Sequence, residues 1–310
     1  MNQSRAYYLC AVMKEQFKVY DIGALSEFKS DDLLISRFAP YLDIHKNLHL
    51  PHKHNFYHLV LFTEGAGSHA IDFKTFPVIP WQIYFMAPGQ VHGWNFEGRV
   101  DGYVINFSVA FFDAFLSKTD YLEQFPFFGG QLNDTVINIP LALQQKVKDI
   151  FEEIVLESEQ GQRLAPDMIR ALMIQLFITL GRISLPQQPA EKQSYNHTLL
   201  KSFQKLVEQH YATVKLPKQY AELLYITPNH LNALCNDVLG ISAGEVIRKR
   251  IALEAKRLLV NFNLSIHEVA DRLNFADNSY FTKFFKKQEG LSPEQFRKEI
   301  NHNIDENVHN

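Results

Sequence analysis

Four histidines and a tryptophan are the side chains whose spacing first suggests chemistry. His52, His54 and His58 fall within seven residues, and His92 follows Pro88-Gly89-Gln90-Val91, with Trp94 two positions on. Imidazole suits Zn, Fe, Cu and Ni, so His52, His54, His58 and His92 on neighbouring strands could hold a metal. A neutral imidazole also both donates and accepts hydrogen bonds, so His54, His58 and His92 could instead line the pocket of an organic molecule. Trp94 would supply an apolar platform there. The third reading is structural: buried histidines that support loops.

A second constellation lies near the other end of the chain. After an apolar stripe of Phe281, Phe284 and Phe285, the remaining face carries Asn278, Ser279, Thr282, Lys283, Lys286 and Lys287. Asn229, His230 and Asn232 occupy matching positions about fifty residues earlier, and Arg248 and Arg250 lie between. Amides pair with adenine edges, Lys donates to guanine, and hydroxyls serve bases or phosphates. The competing reading is that helix faces are polar because water is there.

These groups must be positioned by two different kinds of structure. From Leu33 to Ser108 short apolar or alternating runs, such as Leu59-Val60-Leu61-Phe62 and Tyr103 to Phe107, are separated by Gly and Pro turns. That pattern predicts an antiparallel sandwich or barrel with no helix of useful length. After Pro140 the period changes. Leu143, Val147, Ile150, Phe151, Ile154 and Val155 form one helical stripe, and Asp167 to Ser184 is apolar almost all round. The polar stretch 185–195, with two prolines, reads as a linker.

Beyond it the chain is a series of short helices with explicit start and stop signals. Thr227-Pro228 opens one and Gly240 closes it; Ser242-x-x-Glu245 is a capping box for a long helix over Glu245 to Val260. The grammar then repeats. Ser265-x-x-Glu268 caps a helix, Asn274-Phe275-Ala276 makes a turn, Asp277 caps the next helix, and Ser292-Pro293-Glu294-Gln295 caps the last. Two helix–turn–helix units joined by one long helix is the economical reading.

Composition narrows the function classes. With 46% hydrophobic and 21% charged residues, long disorder is excluded. No stretch reaches the ~18 apolar residues of a membrane span, and Met1-Asn2-Gln3-Ser4-Arg5 does not begin a secretory signal. Cys10 and Cys235 offer no disulfide framework or metal clip. The expected location is the cytoplasm. Net charge is −3 overall but unevenly spread: −5 over residues 1–194, +4 over 195–300 and −2 over 301–310. An acidic front and a basic back suggest two jobs.

The run Ile266-x-x-Val269-Ala270-x-x-Leu273-x-Phe275-x-x-x-Ser279-Tyr280-Phe281-x-x-x-Phe285-Lys286-Lys287-x-x-Gly290-x-Ser292-Pro293-x-x-Phe296-Arg297 resembles the signature of the AraC/XylS family of bacterial transcription regulators over its whole length. Arg248-Lys249-Arg250-Ile251 and Ala255-Lys256-Arg257-Leu258-Leu259 are similar to that family's linker helix. Asn274 stands where the family usually has Gly, and Ala233 where relatives place a long polar side chain. Asn tolerates the left-handed backbone such a turn needs. His52-x-His54-x-x-x-His58, Gly65 and Pro88-Gly89-Gln90-Val91-His92 are similar to the two cupin motifs, except that His58 replaces the usual Glu.

The resemblance implies an α+β multidomain protein, with an N-terminal cupin-like β-barrel and flanking helices before a C-terminal all-α domain with two helix–turn–helix units. The expected divisions are an effector-sensing domain over 1–140, a helical dimerisation or packing segment over 141–184, the 185–195 linker, a DNA-binding domain over 196–300 and a polar tail over 301–310. It implies a non-enzymatic cytoplasmic regulator of promoter DNA, an activator in type, without a cofactor and off the membrane. A small-molecule effector is expected at His54, His58, His92 and Trp94, with a homodimer formed through the Val147, Ile150 and Ile154 stripe and RNA polymerase as a further partner. Bases would meet Asn278, Ser279, Thr282 and Lys283 in one unit, and Asn229, His230 and Asn232 in the other. Lys286, Lys287, Arg248 and Arg250 would meet phosphates, which position without specifying. The alternatives are a cupin metalloenzyme with a helical accessory domain, and a regulator that no longer senses an effector.

Overall fold

The computed structural model describes residues 19–25, 32–45, 48, 51–112, 115–116, 121–128, 134–184 and 195–300. The expected linker (except Tyr195), the N-terminal residues 1–18 and the tail 301–310 lie outside them. The described residues fall into two compact units, one up to 184 and one from 195.

The first unit is built on eight strands. In order come β1 (Val19–Tyr20), a turn of helix α1 (Ile22–Leu25), β2 (Leu33–Arg37), α2 (Phe38–Ile44), β3 (His52–His54), β4 (Tyr57–Ile71), β5 (Lys74–Pro77), β6 (Gln82–Met86), β7 (Val91–Phe107) and β8 (Val136–Asn138). Strand order is β1-β3-β7-β4-β6-β8, with β2 also on β7 and β5 also on β4. All pairs are antiparallel except β1 with β3. The strands agree with the sequence reading, but α2 corrects it, because a helix does form inside the region expected to hold none. Its Pro40 sits in the first turn, where no intrahelical N–H bond is lost.

Both faces of the sheet are buried. Leu59, Leu61, Tyr103, Ile105 and Phe107 face the helices, while Val60, Phe62, Tyr84, Trp94 and Val104 face the interior of the sheet. The long β4–β7 ladder keeps this order only with an adjustment. His58 lies opposite Asn106 and His69 opposite Trp94, and the register shifts twice between Phe62 and Ala66. One residue is thereby gained along β7, so even positions of β4 face inward before the shift and odd positions after it. Gly67 lies just past it at φ +114°, where a Cβ would stand 2.2 Å from the Asn95 carbonyl oxygen.

Two helices back the outer face, α3 (Leu141–Gln160) and α4 (Ala165–Ser184), and α3 ends at left-handed Gly161. Val147, Ile150, Phe151 and Ile154 are buried with Tyr103, Ile105, Met173 and Phe177 in one core. This corrects the sequence expectation. Val147, Ile150 and Ile154, the side chains expected to meet a second copy, are internal packing covered by the sheet and α4, while Leu143 and Val155 of the same stripe are half-buried.

The second unit is all-helical: α5 (Tyr195–His210), α6 (Pro217–Leu223), α7 (Pro228–Leu239), α8 (Ala243–Leu259), α9 (Ile266–Arg272), α10 (Asn278–Glu289), and a last helical stretch, α11, over 293–300. The repeat read from the caps extends to backbone detail. In one unit Ile226 N donates to Ala221 O, in the other Phe275 N to Ala270 O, each at 3.0 Å. The residues just before them, Tyr225 and Asn274, both adopt left-handed backbone, at φ +55° and +53°. Thr227, Ser242, Ser265 and Asp277 each accept from the backbone N–H three residues on. The Ser265 box is reciprocal, as is the Ser292–Gln295 pair. At Ser242 the expected box is half made, because the Glu245 carboxylate turns to Arg248 at 2.7 Å. Arg297 ties the last helix to the end of α8 by donating to the carbonyls of Leu259, Asn261 and Leu264.

Candidate functional site

Strands β3, β4 and β7 bring five histidines together, not four. His52, His54, His58, His69 and His92 are all buried, as is Trp94. Register explains the meeting: His52 pairs with His92 across β3 and β7, and Trp94 stands opposite His69. Ring centroids lie 4.2 Å apart for His52 and His92, 4.9 Å for His54 and His92, and 5.2 Å for His58 and His92. His69 escapes the sequence reading because the ladder shift turns an odd position inward. Asn106, equally buried, was also missed; only its place on an alternating strand signalled it.

The hydrogen bonds run in a chain. His54 Nδ1 lies 3.0 Å from the Phe56 carbonyl oxygen, His54 Nε2 is 3.0 Å from His92 Nε2, and His92 Nδ1 is 3.2 Å from His69 Nε2. Burial, the largest cause, joins the neighbouring imidazoles in pushing His54, His69 and His92 well below the usual histidine pKa. Burial likewise takes His58 down to about 3, against the raising effect of its bond to Asn106. Each of these four rings is therefore neutral at pH 7 and carries one N–H.

The tautomers then follow in sequence. A carbonyl only accepts, so His54 donates from Nδ1 and its Nε2 is bare. His92 donates into that atom from Nε2, leaving its own Nδ1 to accept from His69 Nε2–H. His69 Nδ1 is left bare. His58 donates from Nδ1 to Asn106 Oδ1 at 2.6 Å and has a bare Nε2. Among the described residues, the buried side-chain N and O atoms without a partner are His58 Nε2, His69 Nδ1 and Trp94 Nε1. A buried polar group left unmatched costs about 1–3 kcal/mol.

Trp94 is packed differently from an open platform. Phe96 stacks on it at 5.9 Å, and Phe38 and His92 meet it edge-on at 5.5 and 4.9 Å. What the indole presents is its N–H. Among the described residues, no group of three or more His, Cys, Asp or Glu is arranged to hold a metal ion. The chain of bonds shows where the imidazole nitrogens go instead: to one another, to Phe56 and to Asn106.

In the helical unit, α10 begins at the Asp277 cap and exposes Asn278, Ser279, Lys283, Lys286 and Lys287 on one side of the buried Phe281 and Phe285, with Thr282 half-buried. On α7, Asn229 and His230 are exposed beside the Thr227 cap, and so is Ala233. Tyr280, 59% exposed among these polar groups, is not among the residues singled out from the sequence, where nothing in the spacing separates an exposed ring from a core one. Two expected contacts are committed elsewhere. Asn232 Oδ1 accepts from Ala243 N at 3.1 Å, which secures the turn between α7 and α8.

Arg250 is withdrawn further. It donates twice to Glu208, at 2.6 and 2.7 Å, and once to Glu254 at 3.1 Å, with its guanidinium 3.9 Å over the Tyr211 ring. A guanidinium so engaged is a clamp between α5 and α8, and this corrects its assignment to phosphate. Arg248 is paired with Glu245 of its own helix and remains partly exposed.

Comparison with known proteins matches residues 39–177 to the model of the AraC-like ligand binding domain and residues 220–299 to a helix-turn-helix domain. An uncharacterized HTH-type transcriptional regulator, YfiF of Bacillus subtilis (strain 168), is 25% identical over 80% of this chain and 78% of its own. The HTH-type transcriptional activator RhaR of Enterobacter sp. (strain 638) is 21% identical over 81% of this chain and 88% of its own. Among solved structures, the C-terminal domain of AraT, a response regulator from Geobacillus stearothermophilus, is 29% identical over 35% of this chain and 88% of its own, with a TM-score of 0.31.

Proposed function

Because the chain belongs to the AraC family of transcriptional regulators, with a ligand-binding domain before a helix-turn-helix DNA-binding domain, we propose that it reads promoter DNA in the cytoplasm under control of a small molecule held at His54, His58, His92 and Trp94. The observation that carries the DNA half is the polar face of α10, where Asn278, Ser279 and Lys283 stand exposed at the capped N-terminal end. Such an end lies over base edges when a helix enters the major groove. Asn229 and His230 do the same work on α7. Lys286, Lys287 and Arg248 contact phosphates.

Two units on one linker helix address two successive major-groove segments about 10 base pairs apart, on one face of the duplex. Since the reading faces differ in sequence, the site of a single chain is asymmetric. Replacing Lys283 by Ala is expected to cost about 1–3 kcal/mol in binding and to relax preference at one base position. Replacing Lys287 by Ala weakens all sequences alike and flattens the salt dependence by about one unit of slope. Gel-shift titrations on a promoter fragment and its single-base variants, at several salt concentrations, separate the two. Equal, sequence-blind losses at both positions would show that base readout lies elsewhere.

Self-association, if it uses the helices beside the sheet, needs a face other than the buried stripe. Met168, 52% exposed, and Ala171, one turn on, share an exposed row of α4, with Leu164, 65% exposed, just before the helix. We assign the homodimer contact to this row, since an uncovered apolar row favours burial against a second copy. Met168→Glu should shift the sedimentation of the full chain toward monomer while leaving its thermal unfolding unchanged. A parent protein already monomeric at tens of micromolar, or a folded variant that stays dimeric, removes this face from the account.

A further inference from the structure

Lys215 stands two residues before α6, where a cation beside a helix–turn–helix would ordinarily count as a phosphate contact. Its ammonium is used otherwise. It donates to the Asn274 carbonyl, 59 residues on, and lies 3.8 Å from the centre of the Phe275 ring, over its face. Both partners belong to the turn between α9 and α10. Lysine is ordinarily left in water, yet here the side chain is half-buried and desolvation pulls its pKa below the usual value. A ring face attracts a cation more strongly once water is removed, so the two contacts act as a tie.

Both ends of this tie are anchored. At one, the Tyr220 hydroxyl donates to the Val214 carbonyl at 2.8 Å and Leu216 N donates to Gln219 Oε1 at 3.2 Å, which pins the backbone on either side of Lys215. Tyr220 is itself fully buried. At the other, Asn274 N donates to Asp271 O at 2.8 Å and Phe275 N to Ala270 O at 3.0 Å, which holds the left-handed turn. The Phe275 ring packs on Tyr280, Phe281 and Phe284 of α10, with centroids 5.8, 5.2 and 5.1 Å away. A displacement of Lys215 is thereby passed to the start of α10, where Asn278 and Ser279 lie.

We propose that Lys215 is a positioning residue for DNA reading, a strut between the two helix–turn–helix pairs that sets the distance at which α7 and α10 meet successive major-groove segments. This rests on the reading that both pairs contact DNA, and it adds what fixes their spacing. The linker helix α8 separates the pairs along its own length, and the chain leaves it by a loop over 260–265. A tie off the axis of α8 removes the swing of the trailing pair about that loop. One base pair inserted between the DNA segments moves the second by about 3.4 Å and turns it by about 35°. A braced protein follows neither movement, so tolerance to spacing measures the strut.

The test uses the full-length protein and a duplex that it selects from a random pool, beside the same duplex with one base pair inserted between the two protected segments. The parent should bind the lengthened duplex roughly tenfold more weakly or worse, the cost of at least one mismatched base pair. Lys215→Met keeps an apolar stem over Phe275 but removes the charge and the donor. It should bind the original duplex within about threefold of the parent, since no phosphate contact is lost. Its insertion penalty should fall to about threefold or less, below that of a mismatch. Lys215→Arg, which still donates and stacks on an aromatic face, should retain the parent's penalty. A Lys215→Met protein that keeps the full penalty, or that weakens equally on both duplexes, overturns the inference while the two-segment reading stands. So does a penalty that relaxes in the Arg variant as well. A parent indifferent to the insertion, or one that selects no duplex, overturns the two-segment reading and the inference with it.

Discussion

Taking the protein from pH 7 to pH 5 is expected to destabilise the ligand-binding domain, by about 2 kcal/mol through His58 alone and further in the same direction through His54, His69 and His92. His54, His58, His69 and His92 are buried at 2% exposure or less and fold as neutral rings, with pKa values pushed far below the usual 6.5. In the unfolded chain the same imidazoles take up protons near pH 6.5. Between pH 6.5 and the depressed native values the unfolded state binds more protons, so stability falls as pH falls. The loss begins as pH drops through about 6.5. At pH 5 it reaches about 2 kcal/mol for His58, whose native value is about 3, at 1.36 kcal/mol per pH unit once the unfolded form is charged.

One such ring is already a sizeable part of the whole stability of a typical domain, ~5–15 kcal/mol. The measurement is direct because Trp81 and Trp94 both lie in this domain, so intrinsic fluorescence reports its unfolding and not that of the helical unit. Urea midpoints at pH 7, 6 and 5 should fall steeply. The helical unit, in which no described histidine is buried, should hold its midpoint by circular dichroism over the same range. A fluorescence midpoint unchanged from pH 7 to 5.5 would mean that the rings are neither neutral nor dry.

The contrast between these units also explains what the sequence disclosed. The helical unit was legible because its signals are local: Thr227-Pro228, Ser265 with Glu268 and Asp277 each mark a helix start within four residues. The left-handed turns at Tyr225 and Asn274 follow from the same local geometry. The histidine cluster was legible only in part, since its members meet through register. Period two places His58 inward, and the ladder shift between Phe62 and Ala66 brings His69 inward as well. Nothing in the spacing of His58 and His69 announces that shift. The association stripe was misread for a related reason. Val147, Ile150 and Ile154 define an apolar face, but periodicity cannot say whether the same chain or a second copy covers it.

Arg250 poses the same problem with a charged residue, and replacing it by Ala is expected to destabilise the helical unit by about 3 kcal/mol. Sequence supplies a cation beside Arg248 and Lys249, and the structure directs this one inward, with 12% of its side chain exposed. Removing it leaves Glu254, 20% exposed, with only the longer 3.5 Å pairing to Arg257 among the described residues and uncovers the Tyr211 ring, whereas Glu208 at 63% can return to water. That partial rescue keeps the cost at the low end of what breaking a buried pair entails. For a unit of this size the corresponding fall in melting temperature is roughly 15 °C. DNA binding by the folded fraction should keep the parent's salt slope, because no phosphate contact has been lost. Lys287→Ala gives the opposite pattern: a melting temperature within a few degrees of the parent and a slope lower by about one. Calorimetry and salt-dependent DNA titrations on the two variants decide between clamp and contact. An Arg250→Ala protein that melts like the parent but loses a unit of slope would return Arg250 to the phosphate backbone.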